Sequence, residues 1–375
     1  MNYEAGYKAT YYAYIIDPKS WTDLIRLDVL SGSIKRQKSG LRQSADIEVT
    51  DFDQSKEFWI RVYMDARQNE NISHEALFTG LVSAPQRNIS GAIVTRTLDC
   101  YSVLKPCEDI VLERGWYAGK GESGASVLKR LLTTDAPIVV NGIAPSLDNY
   151  IVAEDGETNL SMIDKVLDAI DWRMVIRGDG TIELGAKPVN PSLTFGARQM
   201  DVLKTTLTVE RDWFGCPNVF RASSGDAVAE ARDEDANSPL SIVSRGREII
   251  MQEDNVSLSD DEGIAEYASR RLKEEQTVAE SAQYDRCYVP DLNIGDVVTY
   301  DYDELQGIYT IDEQTIQLTH GGMTSESISH SVTAETEEEI QRRVLYALIN
   351  LPDNKYFVMP DGYKVLVPYT NMIYS

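Results

Sequence analysis

Histidine is nearly absent from this 375-residue chain, with three copies, His74, His320 and His330. None stands in an H-E-x-x-H pattern or beside a serine or cysteine in a nucleophile motif, so no imidazole-based catalytic machinery is indicated and all three read as structural. Cysteine is scarce as well: Cys100, Cys107, Cys216 and Cys287 lie far apart with no C-x-x-C. That excludes a zinc ribbon and a disulfide framework and leaves reduced thiols in or near cores. No stretch approaches the roughly 18 consecutive apolar residues of a membrane-spanning helix. The opening residues lack a basic segment followed by an apolar one, so no signal peptide is expected, and folding in a cytosol is. Positive charge is in deficit, with 36 Lys plus Arg against 60 Asp plus Glu and a formal charge of -24. Such a chain neutralises few phosphates, which excludes high-affinity nucleic-acid binding and suits either plain solubility or a surface past which nucleic acid slides.

Chemical motifs are equally sparse. Residues 119–124, GKGESG, lack the G-x-x-x-x-G-K-[ST] order of a phosphate loop and read as a turn before a helix. His320-Gly321-Gly322 reads as turn geometry, since no G-x-S-x-G accompanies it. The acid runs 233–235 and 260–262 do not follow calcium-loop spacing, and with 60 acidic residues nothing selects two carboxylates for glycoside hydrolysis. The five tryptophans, Trp21, Trp59, Trp116, Trp172 and Trp213, are scattered one to a segment, as core residues are. No catalytic residue, cofactor or metal is expected.

What the chain does have is strand pattern, and with 42% hydrophobic residues it has material for several packed cores. Residues 292–331 and 59–98 share one plan: a leading strand (297–302 and 60–64), a polar turn, a strand opened by glycine (Gly307 and Gly80), a second turn and an alternating last strand (325–331 and 93–98). This predicts one β module used twice. Upstream, residues 7–16 form a strand stopped at Asp17-Pro18, residues 26–30 and 34–38 flank Ser31-Gly32-Ser33 as a hairpin, and 44–50 alternates with Ala45, Ile47 and Val49 on one face. Six or more antiparallel strands in the first hundred residues point to a small barrel or sandwich.

From about residue 105 to 191 helical spacing takes over. Ser123 is placed to cap a helix carrying Val127, Leu128, Leu131 and Leu132, and Thr158 one carrying Leu160, Ile163, Val166, Leu167 and Ile170. A hairpin follows, turned by Gly178-Asp179-Gly180. Strands at 205–210, 218–223 and 247–251 open a second β region, the acidic stretch 224–241 reads as a mobile loop, and Ser259 to Glu262 has capping-box spacing before a helix with Ile264, Tyr267, Ala268 and Leu272. Thr336 to Glu339 caps a last helix, and a hairpin turned by Pro360-Asp361-Gly362 ends the chain. An isolated hairpin is marginal in water, so this tail is expected to dock. The residues predicted to face a partner are Tyr356, Phe357, Val358, Val365, Leu366, Val367 and Tyr369.

The order of parts over about residues 24–334 resembles the hub family of bacteriophage baseplates and tail tips, the gene-27-like hubs shared with contractile bacteriocins and related injection machines. Three stretches carry the resemblance: EDGETNLSMIDKVLDAIDWRMVIRGDGTIELG (154–185), ANSPLSIVSRGREI (236–249) and EYASRRLKEEQTVAESAQYDRCYVPDLNIGDVVTY (266–300). It implies an α+β, mainly β fold: two similar antiparallel tail-tube-like β-barrel domains (1–104 and 192–334), an α/β insert (105–191) and a C-terminal helix and hairpin (335–375). It also implies a virion protein assembled in the host cytoplasm. There a homotrimer forms a pseudo-sixfold ring, with the tail tube or distal tail protein above, the central spike or tip below, and baseplate wedge proteins as further partners. Some relatives are fused to peptidoglycan hydrolases or tail endopeptidases, so a tail-associated hydrolase is the alternative reading, and a glycan- or receptor-binding β protein a third.

Overall fold

The computed structural model describes residues 7–53, 56–83, 85–188, 190–196, 207–212, 214–224, 227–253, 263–290, 292–302, 305–319, 321–333, 356–358 and 364–366. The chain divides into two compact units, residues 1–210 with 281–330 and residues 211–280 with 331–375. It is mainly β, with large antiparallel sheets.

The first unit begins with β1 (Lys8–Asp17), β2 (Thr22–Gln37), β3 (Gln43–Thr50), β4 (Phe58–Gln68), β5 (Asn71–Val82), β6 (Gln86–Ser90) and β7 (Ile93–Ser102). Six of these pair antiparallel in a cycle that returns to its start, β1-β4-β5-β7-β3-β2-β1, while β6 pairs only β7. Alternation fills the interior: Ala45, Ile47 and Val49 of β3 are buried as expected and meet Ile34, Ile60, Val62 and Met64.

Two expectations about glycine are corrected here. Ser31-Gly32-Ser33 is no hairpin turn; β2 runs straight through it, with an irregularity against β3 between Val29 and Ser31. A Cβ on Gly32 would sit 2.5 Å from the Asp46 carbonyl oxygen, so glycine is there for close strand approach at a bulge. Nor does Gly80 open a strand. It lies near the end of β5, where a Cβ would meet the Tyr101 carbonyl oxygen at 2.2 Å, and its absence lets β5 reach β7 and close the cycle.

The next segment holds α1 (Lys105–Glu108), β8 (Tyr117–Ala118), α2 (Gly124–Leu131), β9 (Ile138–Asn141), β10 (Ile151–Val152), α3 (Asn159–Ala169), β11 (Trp172–Ile176) and β12 (Ile182–Ala186). The predicted apolar stripes of α2 and α3 pack on a β11-β12-β9 sheet, with Val127, Leu128, Ile163 and Val166 against Trp172, Ile182 and Leu184. Thr158 caps α3 as expected: its Oγ1 accepts from Ser161 N at 3.2 Å, and Ser161 Oγ accepts from Thr158 N at 3.1 Å. Ser123 occupies the cap position of α2 but makes no side-chain cap bond.

The later strands are β13 (Leu193–Gly196), β14 (Thr208–Asp212), β15 (Val219–Ser224), β16 (Ala227–Arg232), β17 (Ile250–Glu253), β18 (Thr277–Arg286), β19 (Val297–Tyr302), β20 (Leu305–Gln317) and β21 (Thr324–Thr333). In the first unit β20 pairs β19 at one end and the second half of β2 at the other, and β13 lies parallel to β19. Among the described residues these strands form an open path onward through β21, β18 and β14, around a core of Phe195, Tyr284, Tyr300, Tyr309, Ile311 and Ile328.

In the second unit, β15 pairs antiparallel with β16 and parallel with β17, and one face is covered by α5 (Ile264–Glu275), which follows the short α4 (Ile242–Arg245). Tyr267, Ala268 and Leu272 of α5 bury Phe220, Ala222 and Ala231. The expected loop at 224–241 is therefore corrected over residues 227–232: β16 is a paired strand, because Glu230 is held between Arg221 and Arg232 while Ala231 turns into the core, and residues 233–241 form no strand or helix. Asn218, wholly buried, donates to the Leu240 and Arg247 carbonyls and accepts from Ile249 N at 2.7 Å, tying the ends of the module together. The predicted cap at Ser259 to Glu262 and the helix from Thr336 lie outside the described residues. Helix α5 begins instead at Gly263, whose N–H donates to Glu266 at 3.3 Å. The tail hairpin pairs β22 (Tyr356–Val358) with β23 (Lys364–Leu366).

Candidate functional site

The polar residues of the first unit converge where the strand cycle, the α/β segment and the second set of strands meet. The β4–β5 ladder skips Leu77, since Val62 pairs Phe78 and Tyr63 pairs Ala76. The freed Leu77 carbonyl accepts from Arg36 Nη2 at 2.7 Å. Against the same bulge lies the β11–β12 turn: a Cβ on Gly178 would fall 1.8 Å from the Ala76 carbonyl oxygen. Thr79 Oγ1 donates to the Gly178 carbonyl at 2.7 Å, and Arg61 Nη2 to the Asp179 carbonyl at 3.1 Å. Trp21, at φ 54°, donates Nε1–H to the Asp135 carbonyl at 2.8 Å and packs edge-on against Trp59.

A second row of contacts completes the junction. Arg42 pairs with Asp164 of α3 at 2.5 Å, Gly40 N donates to the same carboxylate at 3.1 Å, and Gln43 Nε2 donates to the Ile176 carbonyl at 2.5 Å. Arg173 pairs with Asp296 at 2.7 Å, and that carboxylate also accepts from Asn293 N at 2.8 Å. A cleft of 430 Å3 opens here, lined by Trp172, Leu167 and Ile294 and by four cations. Each cation already has an acid: Lys38 has Asp312, Arg42 has Asp164, Arg173 has Asp296 and Lys187 has Asp171. The arrangement holds three parts of the chain together.

Deeper in the second set of strands, Arg286 and Glu326 form an ion pair with both side chains at 0% exposure. Arg286 Nε donates to Glu326 Oε2 at 2.7 Å, and Tyr284 and Gln314 donate to the same carboxylate at 2.5 and 2.6 Å. Burial pushes the Tyr284 hydroxyl well above its ordinary range, and the Glu326 charge adds to that. Burial opposes the charge on Arg286, but Glu326 outweighs it, so the guanidinium stays protonated.

The singled-out residues are not brought together. His74 is exposed, its Nδ1 2.7 Å from Asp65, which also accepts from Tyr12. His320 and the side chain of His330 lie outside the described residues. Cys100, Cys107 and Cys216 are buried and in no disulfide, and burial pushes the Cys100 and Cys107 thiols up. Of the proposed partner-facing residues, Tyr356, Phe357 and Val358 face Leu366, Val365 and Lys364 in backbone register. Val367, Tyr369 and the side chains of the others lie outside the described residues. Among the described residues no group of three or more His, Cys, Asp or Glu could hold a metal, and no helix is long and apolar enough to cross a membrane. Sequence reasoning missed Arg36, Gln43 and Glu326. The signal was strand parity, for they share a face with the buried Ile34, Ala45 and Ile328.

No protein-family model matches the sequence, and no curated protein does. Solved structures do match by fold. The 43 kDa tail protein of prophage MuSo2 from Shewanella oneidensis matches with TM-score 0.61 at 13% identity, covering 88% of this chain and 100% of that one. A tail protein from Neisseria meningitidis MC58 gives 0.60 at 14%, covering 86% and 97%. The Francisella PdpA-VgrG complex in its half-lidded form gives 0.54 at 7%, covering 88% of this chain and 59% of that one. Most of the chain thus has the fold of these tail proteins.

Proposed function

We propose that the chain is a structural hub of a phage or phage-like tail, located in the virion and assembled in the host cytoplasm. The observation that carries this is the junction: three of the four cations of its cleft, Lys38, Arg42 and Arg173, are paired with acids on another part of the chain, as suits a scaffold, and the fold is that of tail proteins. In this reading residues 1–104 and 192–334 are two equivalent barrel domains, 105–191 the insert and 335–375 the tail. Three chains then place six similar domains around one axis and match a sixfold tube to a threefold spike. Ring closure would cover strand edges that a lone subunit leaves open. The negative net charge keeps the passage from holding the genome. The tail hairpin, through Tyr356, Phe357, Val358, Val365, Leu366, Val367 and Tyr369, contacts the spike or closes the trimer. No catalytic step is assigned to the chain.

The test is mass by light scattering across a concentration series, alone and mixed with the purified spike and tube proteins of the same tail. A three-chain species, alone or with either partner, is expected. A monomer under all conditions, or peptidoglycan hydrolysis that His74→Ala abolishes, overturns the reading.

A further inference from the structure

Three deeply buried polar side chains of the junction each keep one atom without a protein partner. Arg36, Arg42 and Gln43 are 4%, 6% and 4% exposed, and Arg36 Nε, Arg42 Nε and Gln43 Oε1 have no hydrogen-bond partner. All three line one small pocket, to which Met174 and Ile176 of β11 also contribute. Its volume is about 10 Å3, which leaves space for one water molecule. Buried donors and acceptors are paired in nearly all folded proteins, and bridging water is the usual partner where protein atoms cannot reach.

The chemistry of the lining selects the occupant. Gln43 cannot turn its amide, because Nε2 donates to the Ile176 carbonyl at 2.5 Å, so its oxygen is the atom left for the cavity. The cavity therefore presents two N–H donors and one acceptor. A halide would satisfy both guanidinium N–H groups but would be repelled by Gln43 Oε1, and it is larger than water. We propose that Arg36 Nε, Arg42 Nε and Gln43 Oε1 together hold one water molecule, which accepts from both guanidinium groups and donates to the amide oxygen. Three hydrogen bonds are what a buried water typically makes. This water links β2, the β2–β3 turn and the start of β3, and through Gln43 reaches β11, so it belongs to the fastening of the α/β segment onto the strand cycle.

High-resolution crystals of the full chain, grown with sodium bromide, test the proposal. The expected result is a single density peak within hydrogen-bond distance of all three atoms and no bromine anomalous signal there. A bromine signal overturns water in favour of an anion. No peak, with either Nε donating to protein instead, overturns the site. In solution, oxygen-17 relaxation dispersion is expected to count one fewer long-lived water in Arg36→Lys, which keeps the charge and removes Nε, and in Gln43→Leu. An unchanged count in whichever variant folds overturns the proposal.

Discussion

Arg286 is the residue at which the cost of burying charge is greatest, since neither it nor Glu326 touches solvent. Breaking such a pair leaves a lone charge in a low-dielectric core, whereas replacing both partners by apolar groups removes the desolvation cost along with the attraction. Arg286→Met is expected to lose about 3–5 kcal/mol of stability in urea unfolding. Arg286→Met with Glu326→Leu is expected to recover most of it, and equal losses in the two variants would contradict this account. Gly178 makes a steric argument at the same scale. A methyl group there would overlap the Ala76 backbone at 1.8 Å, with no flexible neighbour to give way. Gly178→Ala is expected to cost at least the roughly 1–3 kcal/mol of ordinary overpacking. Hydrogen exchange should report the loss as faster exchange at the β11–β12 turn. The turn itself was legible in the sequence. Its docking was not, because a Gly-Asp-Gly turn reads the same in solvent as against a bulge.

At the scale of elements, local signals translated well and pairing signals did not. Thr158 and the stripe of α3 were readable because capping and periodicity are short-range, and Thr158→Ala is expected to cost about 1 kcal/mol by thermal melting. The run from 224 to 241 looked like a loop because composition counts acids without seeing Arg221 on the neighbouring strand. Arg221 and Arg232 hold the Glu230 carboxyl below the usual glutamate range. A carboxyl more acidic in the folded state stabilises fully above its unfolded pKa, and that contribution is lost as pH falls through the lowered folded value. Second-unit stability is therefore expected to hold from pH 7 to about 5 and to fall below the ordinary glutamate value near 4.3. Glu230→Gln should flatten that acid limb in a series of melts, and an unaltered limb would show that the ladder of charges is idle. Ser31-Gly32-Ser33 was misread for a related reason, since the residues that favour turns also favour bulges, and only the partner strand tells them apart.

At the scale of the whole molecule, the repetition seen in the sequence found a closed strand cycle for its first copy and, among the described residues, an open path for its second. Alternation reported the strands of both; it carries no information about which edges finally meet. The hub reading makes a prediction here. A chain ending at Ala334 is expected to keep the circular dichroism of the full protein while losing capture by immobilised spike protein, and a collapse of the β signal would show that the tail belongs to the core. The first half of β2 closes the cycle against β1, and its second half pairs five residues with β20, from Ser33 opposite Gln317 to Gln37 opposite Glu313. One unbroken strand thus acts as a mechanical strut. Tension along β2 loads those five ladder positions side by side in shear, whereas a pull across it would peel them one at a time, so this junction resists force along the strand better than force across it.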